Sequence, residues 1–329
     1  MSRVVRFNKT GGPEVLEIET IDVAEPGQGE VRILVKALGL NRAEAMFRSG
    51  KYLEQPQFPS RLGYEAAGIV DAIGEDVKGI NRGDTVSIVP PPSQGKYGVY
   101  GESAIVPASH VIKHPTSISF VEASALWMQY LTAYGALFNI AKMAKGDYVV
   151  IPAASSSVGI ASIQLCNSVG AIPIATTRTS KKKQALEKVG AKYVIATEEE
   201  NLSEKLLEIT NNKGARIVFD PVGGKTVLEL AKGMAAGGIL IEYGALSSDP
   251  TPYPLFESLK KGLTMRGYVL FELINQKEQL DKAIHYVLDS LTSGALKPVI
   301  AKTFKLDDIV EAHRYLESNE QFGKIVVTV

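Results

Sequence analysis

Cysteine is almost missing from this 329-residue chain, where Cys166 is the only one. No intramolecular disulfide can form, and no cysteine-rich zinc site can be built. Net charge is missing as well, because 36 Lys+Arg balance 36 Asp+Glu. A basic excess is the usual mark of a nucleic-acid binder, and no aromatic–basic motif stands in for it here, so no nucleic-acid partner is expected. No stretch approaches about 18 apolar residues, and the opening MSRVVRFNKTGG has no apolar run of signal-peptide length. The expectation is a cytoplasmic protein with no membrane association. Repeats, low-complexity tracts and an obvious linker are absent too, and the four histidines (His110, His114, His285, His313) are scattered. What is present is an ordinary globular composition, 45% hydrophobic and 22% charged, long enough for about two domains.

The division between domains is read from a change of pattern. The first 120 or so residues carry short alternating runs rich in β-branched residues and bounded by Gly, Pro and Asp, the mark of strands. In EVRILVKALGL, Val31, Ile33 and Val35 share one face and Arg32, Leu34 and Lys36 the other. From about residue 122, nearly all-apolar strands alternate with segments of helical length. The strands are expected at 147–153, 171–177, 193–196, 216–220 and 238–244. Strand–helix–strand at this spacing implies a parallel sheet with helices on both faces. Gly170, Gly190 and Gly214 punctuate the ends of three helices. Two more helices follow, around DKAIHYVLDSLTSG and LDDIVEAHRYLESN, and the closing GKIVVTV reads as a strand returning to the first domain. The boundaries expected are 1–122 for a β-rich substrate domain, 123–266 for a nucleotide-binding domain, and 267–329 for the return to the first.

The segment VVIPAASSSVGIASIQL is the most informative. Small residues from Ala153 to Ser157 let a backbone approach a pyrophosphate, three serines add hydroxyls, and a helix starts behind them. Candidate cofactor residues here are Ala154, Ser155, Ser156, Ser157, Val158 and Gly159. Only Gly159 survives of the G-x-G-x-x-G fingerprint, so the turn alone fits a ligand-free strand-to-helix turn equally well. The end of the next strand shifts the balance. NAD sites place a carboxylate there, about 20 residues on. This chain has Thr177 and Arg178, then Lys181, Lys182 and Lys183, with no carboxylate before Glu187. A guanidinium and an ammonium at a helix start suit the 2′-phosphate of NADPH. Arg178 is the first choice and Lys182 the second.

By this point the residues resemble the medium-chain dehydrogenase/reductase superfamily, and within it the zinc-independent quinone oxidoreductase branch to which zeta-crystallin belongs. The resemblance runs end to end: GGPEVLE, GLNRAEAMFRSGKY at 39–52, LGYEAAGIVDAIGEDV at 62–77, GDTV, and LTAYGAL at 131–137. It continues through AASSSVGIASIQL, ATTRTSKKKQAL, FDPVGGK, EYGALSS and FGKIVVTV. It implies a doubly wound α/β domain of the Rossmann type inserted in a β-rich GroES-like substrate domain. It further implies NADPH held in a cleft, and a homodimer or tetramer. Zinc members carry a Cys near position 41 and a His in a G-H-E triplet; this chain has Asn41 and Gly63-Tyr64-Glu65, and lacks their four-Cys lobe. No metal is expected.

Without a metal, an acceptor must already be activated by conjugation, as in a quinone, an enone or an enoyl thioester. Hydrogen-bond donors aimed at developing enolate charge then replace the Lewis acid. By resemblance Asn41 faces nicotinamide and substrate, and Tyr52 matches the tyrosine that enoyl reductases of this branch hold near the thioester carbonyl. Asn after a strand also caps turns, and Tyr52 equally reads as a rim residue. Tyr64 and Tyr130 are expected to line the substrate pocket. The resemblance adds Thr132 beside the nicotinamide, and Gly323 and Lys324 closing over the cofactor. Gly244 and Ala245 let its nicotinamide half pass close to backbone. Phe271 reads equally as a cover for the ring or a core aromatic. The function expected is NADPH-dependent hydride transfer to a quinone or other conjugated carbonyl. A specialised enone or enoyl double-bond reductase is the alternative, and an NADPH-binding structural or regulatory protein without turnover is the alternative of another class.

Overall fold

Strands that are apolar on both faces need cover on both, and the segment Gln129–Lys297 supplies it as one compact unit. A computed structural model of the chain describes residues 1–115 and 117–329. Six parallel strands lie side by side in the order Tyr193–Ala196, Ile172–Thr177, Tyr148–Ile151, Ala215–Asp220, Met234–Glu242 and Thr264–Gly267. The order runs outward both ways from the 148–151 strand, so the chain reverses there, the place where doubly wound sheets take ligands. Val150, Ile174, Ile195, Val218 and Leu240 of the strands pack with Leu202, Leu206, Val227 and Leu230 of the helices. The helix Ser157–Val169 ends on Gly170 with φ 74°, a left-handed cap that glycine adopts without steric cost. Gly214 does a different job from the one expected: the helix Leu202–Ile209 stops at Thr210, and Asn211 and Asn212 turn the chain with positive φ. A Cβ on Gly214 would lie 2.4 Å from the Met234 carbonyl carbon.

The other unit joins Met1–Met128 to Pro298–Val329. Its long strand Glu30–Gly39 buries Val31, Ile33 and Val35 and turns Leu34 outward, as the alternation dictates. It pairs with Glu65–Ile73 and Ser103–Pro107, and near its end with Lys324–Thr328, where Val326 lies opposite Gly39. Ile300–Lys305 adds in parallel beyond the C-terminal strand, while Thr85–Ile88 and Val111–Lys113 extend the sheet on the other side. The closing strand therefore returns to the first domain's sheet. This pairing of a β-rich unit with a doubly wound parallel sheet is the α/β architecture expected from the sequence.

The units divide after Met128 and after Lys297, where the sequence pattern suggested 122 and 266. Trp127 keeps the first stretch with the β-rich unit: it is fully buried and its indole N–H donates to Ser87 Oγ at 2.8 Å. The helix Lys277–Thr292 belongs to the parallel-sheet unit, where the Tyr286 ring packs 5.4 Å from Tyr134 and 5.3 Å from Phe138. Its amphipathic pattern could not say which core it would join. Among the described residues no helix is long and apolar enough to cross a membrane.

Candidate active site

The turn after the 148–151 strand is built from small residues for a steric reason. Ala153 takes φ 48°, and Ser156 caps the following helix by accepting the Gly159 N–H at 3.1 Å. A Cβ on Gly159 would lie 2.6 Å from Ala154 backbone atoms, so helix and strand pack this closely only with glycine there. Ala154 is buried and donates its N–H to Thr176 at 3.1 Å, while Ser157 and Val158 open the helix. The structure separates the lysines that the sequence left together. Lys183 pairs with Glu200 at 2.6 Å, Lys181 is exposed, and Lys182 Nζ donates back to Ser155 Oγ at 3.2 Å. Arg178 is exposed just after Thr177, with no acidic partner among the described residues. A cationic pair therefore flanks a serine-rich helix N-terminus within one unit, an arrangement suited to a phosphorylated ligand.

In the β-rich unit, Asn41 and Lys324 meet, although 283 residues separate them. Lys324 is fully buried; its ammonium donates to Glu65 Oε2 at 2.6 Å and to Asn41 Oδ1 at 2.5 Å. Asn41 Nδ2 donates to the Gly39 carbonyl and to Glu44 Oε1, both at 3.2 Å. Glu44 also accepts the N–H groups of Asn41 (2.7 Å) and Tyr64 (3.1 Å), while the Met128 N–H donates to Glu65 Oε1 at 3.2 Å. Both amide hydrogens of Asn41 are thus committed inside the unit, and its position at the start of the helix Arg42–Arg48 is that of a cap. The Lys324 ammonium is likewise occupied by Glu65 and Asn41, while Gly323, at φ 102°, presses on Val299, whose carbonyl oxygen a Cβ would meet at 2.2 Å. Glu44 and Glu65 were not singled out from the sequence as a working pair. The N-x-x-E spacing of a capping box was the available signal for Glu44; nothing in sequence showed that Lys324 reaches Glu65.

The rings of Tyr52 and Tyr64 meet edge to face with centroids 6.2 Å apart, and their hydroxyls lie in hydrogen-bonding reach. Burial raises both phenols above the ordinary range; the Tyr64 hydroxyl pulls Tyr52 back down. Tyr130 is fully buried, and its hydroxyl donates to Gln164 Oε1 at 2.8 Å. Thr132 is buried in the helix Trp127–Tyr134, and Phe271 is half-buried at the start of Phe271–Ile274. Gly244 and Ala245 are exposed beyond the 234–242 strand, and a Cβ on Gly244 would meet the Pro221 carbonyl oxygen at 2.8 Å. Among the described residues no three His, Cys, Asp or Glu side chains are grouped to hold a metal ion.

A parallel doubly wound unit whose first strand turns through small residues and serines into a helix, together with a β-rich unit built from both chain ends, is the domain plan of a dinucleotide-dependent oxidoreductase of the alcohol dehydrogenase type. Residues 27–116 match a family described as alcohol dehydrogenase GroES-like domain, and residues 157–289 one described as zinc-binding dehydrogenase. The chain is 33% identical to quinone oxidoreductase 1 of Escherichia coli (strain K12) over 331 aligned residues, covering 98% of each chain. It is 28% identical to a 2-haloacrylate reductase of Burkholderia sp, covering 98% of this chain and 97% of that one. The crystal structure of Escherichia coli quinone oxidoreductase complexed with NADPH superposes with a TM-score of 0.92 at 32% identity, covering 99% of this chain and all of the other. The chain belongs to the medium-chain dehydrogenase/reductase superfamily, in its zeta-crystallin-like quinone oxidoreductase branch.

The Glu44 carboxyl gives a stability signature. Burial pushes it up to about 7, against the pull of Lys324 and of its hydrogen bonds to Asn41 and Tyr64. The folded chain therefore keeps this proton up to about pH 7, whereas the unfolded chain releases it near 4.5. Its stabilising effect is complete below the lower value and is lost as pH rises to the upper one. Against Glu44→Gln, which cannot ionise, the wild type should lose about 3 kcal/mol between those limits. Denaturant unfolding of both proteins across that range checks it.

Proposed function

We propose that this enzyme, an NADPH-dependent oxidoreductase, reduces a quinone or another conjugated carbonyl acceptor. The observation that carries the reading is the cationic pair at the phosphate turn: unpaired Arg178, and Lys182 reaching Ser155. These residues fit NADPH rather than NADH, since a carboxylate is what the adenosine ribose of NADH requires there. The Ser155–Ser157 hydroxyls, the N-terminus of the Ser157–Val169 helix and the close approach allowed by Gly159 fit its pyrophosphate. Thr132, Gly244, Ala245 and Phe271 are assigned to its nicotinamide half by resemblance. When bound, NADPH supplies the hydride.

The residues at the zinc-ligand positions of the family do other work in this chain. Asn41 caps a helix and is bonded to Lys324, and Tyr64 lies against Tyr52. Tyr52 is therefore the better acceptor-binding residue. Held by the hydrogen bond it shares with Tyr64, the Tyr52 hydroxyl is assigned to donate to a substrate carbonyl, where it offsets the charge that develops on oxygen. A quinone needs little beyond positioning, whereas an enone gains from that donor. The Tyr52–Tyr64 contact is the observation favouring the second reading, a specialised reductase of activated alkenes. Lys324 and Gly323 serve this site by holding Asn41 and the closing strand.

Assembly as a homo-oligomer, a dimer or tetramer, belongs to the same reading. Leu246, Tyr253, Leu255, Phe256, Leu259 and Val269 are all exposed and bracket Thr264–Gly267, the edge strand of the parallel sheet. A bare sheet edge flanked by apolar side chains invites pairing with another copy.

Arg178→Ala should weaken NADPH binding by about 10–100-fold and leave NADH binding unchanged, measured by quenching of protein fluorescence. NADPH oxidation with 9,10-phenanthrenequinone and with a short enone identifies the acceptor class; tight NADPH binding with neither turned over would favour the protein without turnover. Tyr52→Phe should lower kcat on the enone about 100-fold and affect the quinone far less. Undiminished enone turnover removes the assignment of Tyr52. Phe256→Asp should reduce the mass in solution to that of one chain, read by light scattering.

A further inference from the structure

Two acidic residues in the parallel-sheet unit have no part in the site above. Asp220 and Glu242 end neighbouring strands and are register partners. Asp220 is fully buried and accepts the N–H groups of Val222 at 2.8 Å and Gly223 at 3.1 Å. Both carboxyl oxygens of Glu242 are shut away from solvent with no hydrogen-bond partner among the described residues. The cations on surrounding elements are engaged elsewhere. Arg266 of the edge strand pairs with Glu272, Lys232 with Glu229, and Lys261 with Glu257. Lys225 and Lys260 are exposed. The remaining neighbours are phenols, Tyr243 and Tyr268, and the Tyr268 hydroxyl is itself buried and unpaired. Two carboxylates at adjacent register positions without a cation cannot both ionise cheaply. Burial pushes Asp220 up to about 6 and Glu242 to about 8, the Asp220 charge adding to the second.

The loops leaving these strands are zipped together. Tyr243 N–H donates to the Asp220 carbonyl (2.9 Å), Leu246 to Pro221 (3.0 Å), and Ser247 to Val222 (2.9 Å). Gly224 N–H donates to Thr251 Oγ1 at 2.9 Å. The second loop carries Gly244 and Ala245. Both loops lie at the carboxyl ends of parallel strands, where this class of sheet takes its ligand.

We propose that Glu242 is the protonated member of this pair beside an ionised Asp220, and that the Glu242 proton is bound together with NADPH. Glu242 is thus a positioning residue of the cofactor site. With one proton the pair carries one negative charge and the zipped loops stay closed. Without it, two buried charges repel beneath the loops and add to the negative field that a polyanionic cofactor must enter. This inference rests on the NADPH reading above.

The test is NADPH affinity by fluorescence titration between pH 7 and 9.5 for the wild type and Glu242→Gln. Over that range a 2′-phosphate is already ionised and arginine still charged. In the wild type the Kd should climb above pH 8, approaching about tenfold per pH unit, the slope for one linked proton. In Glu242→Gln the affinity should no longer change over that interval. Parallel curves for the two proteins overturn the proposal. If neither protein binds NADPH at any pH, the cofactor reading fails, and melting decides the Glu242 proton separately. The wild-type Tm should then fall relative to that of Glu242→Gln as pH rises, and equal falls overturn the pair.

Discussion

The buried ion pair between Lys324 and Glu65 is the contact on which the β-rich unit depends. It joins the closing strand to a strand laid down some 260 residues earlier, in an environment without water. Two charges stripped of solvent cost several kcal/mol each, roughly, unless their remaining donors and acceptors are met. Here the Asn41 carbonyl takes a second Lys324 hydrogen and the Met128 N–H takes the second Glu65 oxygen. Gly39 leaves the room for this, since a Cβ there would lie 2.8 Å from Lys324 Cε and 2.0 Å from the Ser124 carbonyl oxygen. Through Asn41 and Glu44 the same network fixes the backbone of Tyr64, and so the ring against which Tyr52 rests. A second tie reinforces it: buried Arg48 holds His313 Nδ1 at 2.8 Å and Glu317 at 2.6 Å. Burial and the neighbouring arginines hold that histidine neutral, down near 3.

The parallel-sheet unit obeys a different constraint, which is space. Its turn after the 148–151 strand lacks two of the three glycines of the dinucleotide fingerprint, yet a positive φ at Ala153 and the Ser156 cap produce the sharp entry into the helix. Gly159 alone cannot be replaced without moving the helix off the strand. The lysine run looks uniform in sequence, but its members separate according to where the Ser180–Lys182 turn aims them: Lys183 to Glu200, Lys182 to Ser155.

Periodicity carried most of the fold. Strand positions at 172–177 and 193–196, the alternation of Val31, Ile33 and Val35, and the return of the last strand were all legible because one strand's burial is written in its own residues. Boundaries were less so. The 234–242 strand begins four residues before the expected start at 238, with Met234 paired to Ala215 of its partner strand. The Lys277–Thr292 helix could have joined either core, and only the aromatic contacts with Tyr134 and Phe138 decide it.

What the sequence determined by itself was the class of chemistry. One cysteine, no net charge, and Arg178 rather than a carboxylate after Thr177 are local facts, readable in order along the chain; Asn41 and Tyr64 take the zinc-ligand places only by resemblance. What the tertiary structure decided is which polar groups remain available. Asn41 and Lys324 look free in sequence and are spent on each other in the fold; Tyr130 is spent on Gln164. Glu242 ends an ordinary strand in sequence, and only in the fold does it face a second carboxyl with no cation beside it. Hydrogen-bond satisfaction and burial are relations between distant residues, and a sequence records each residue without its partner.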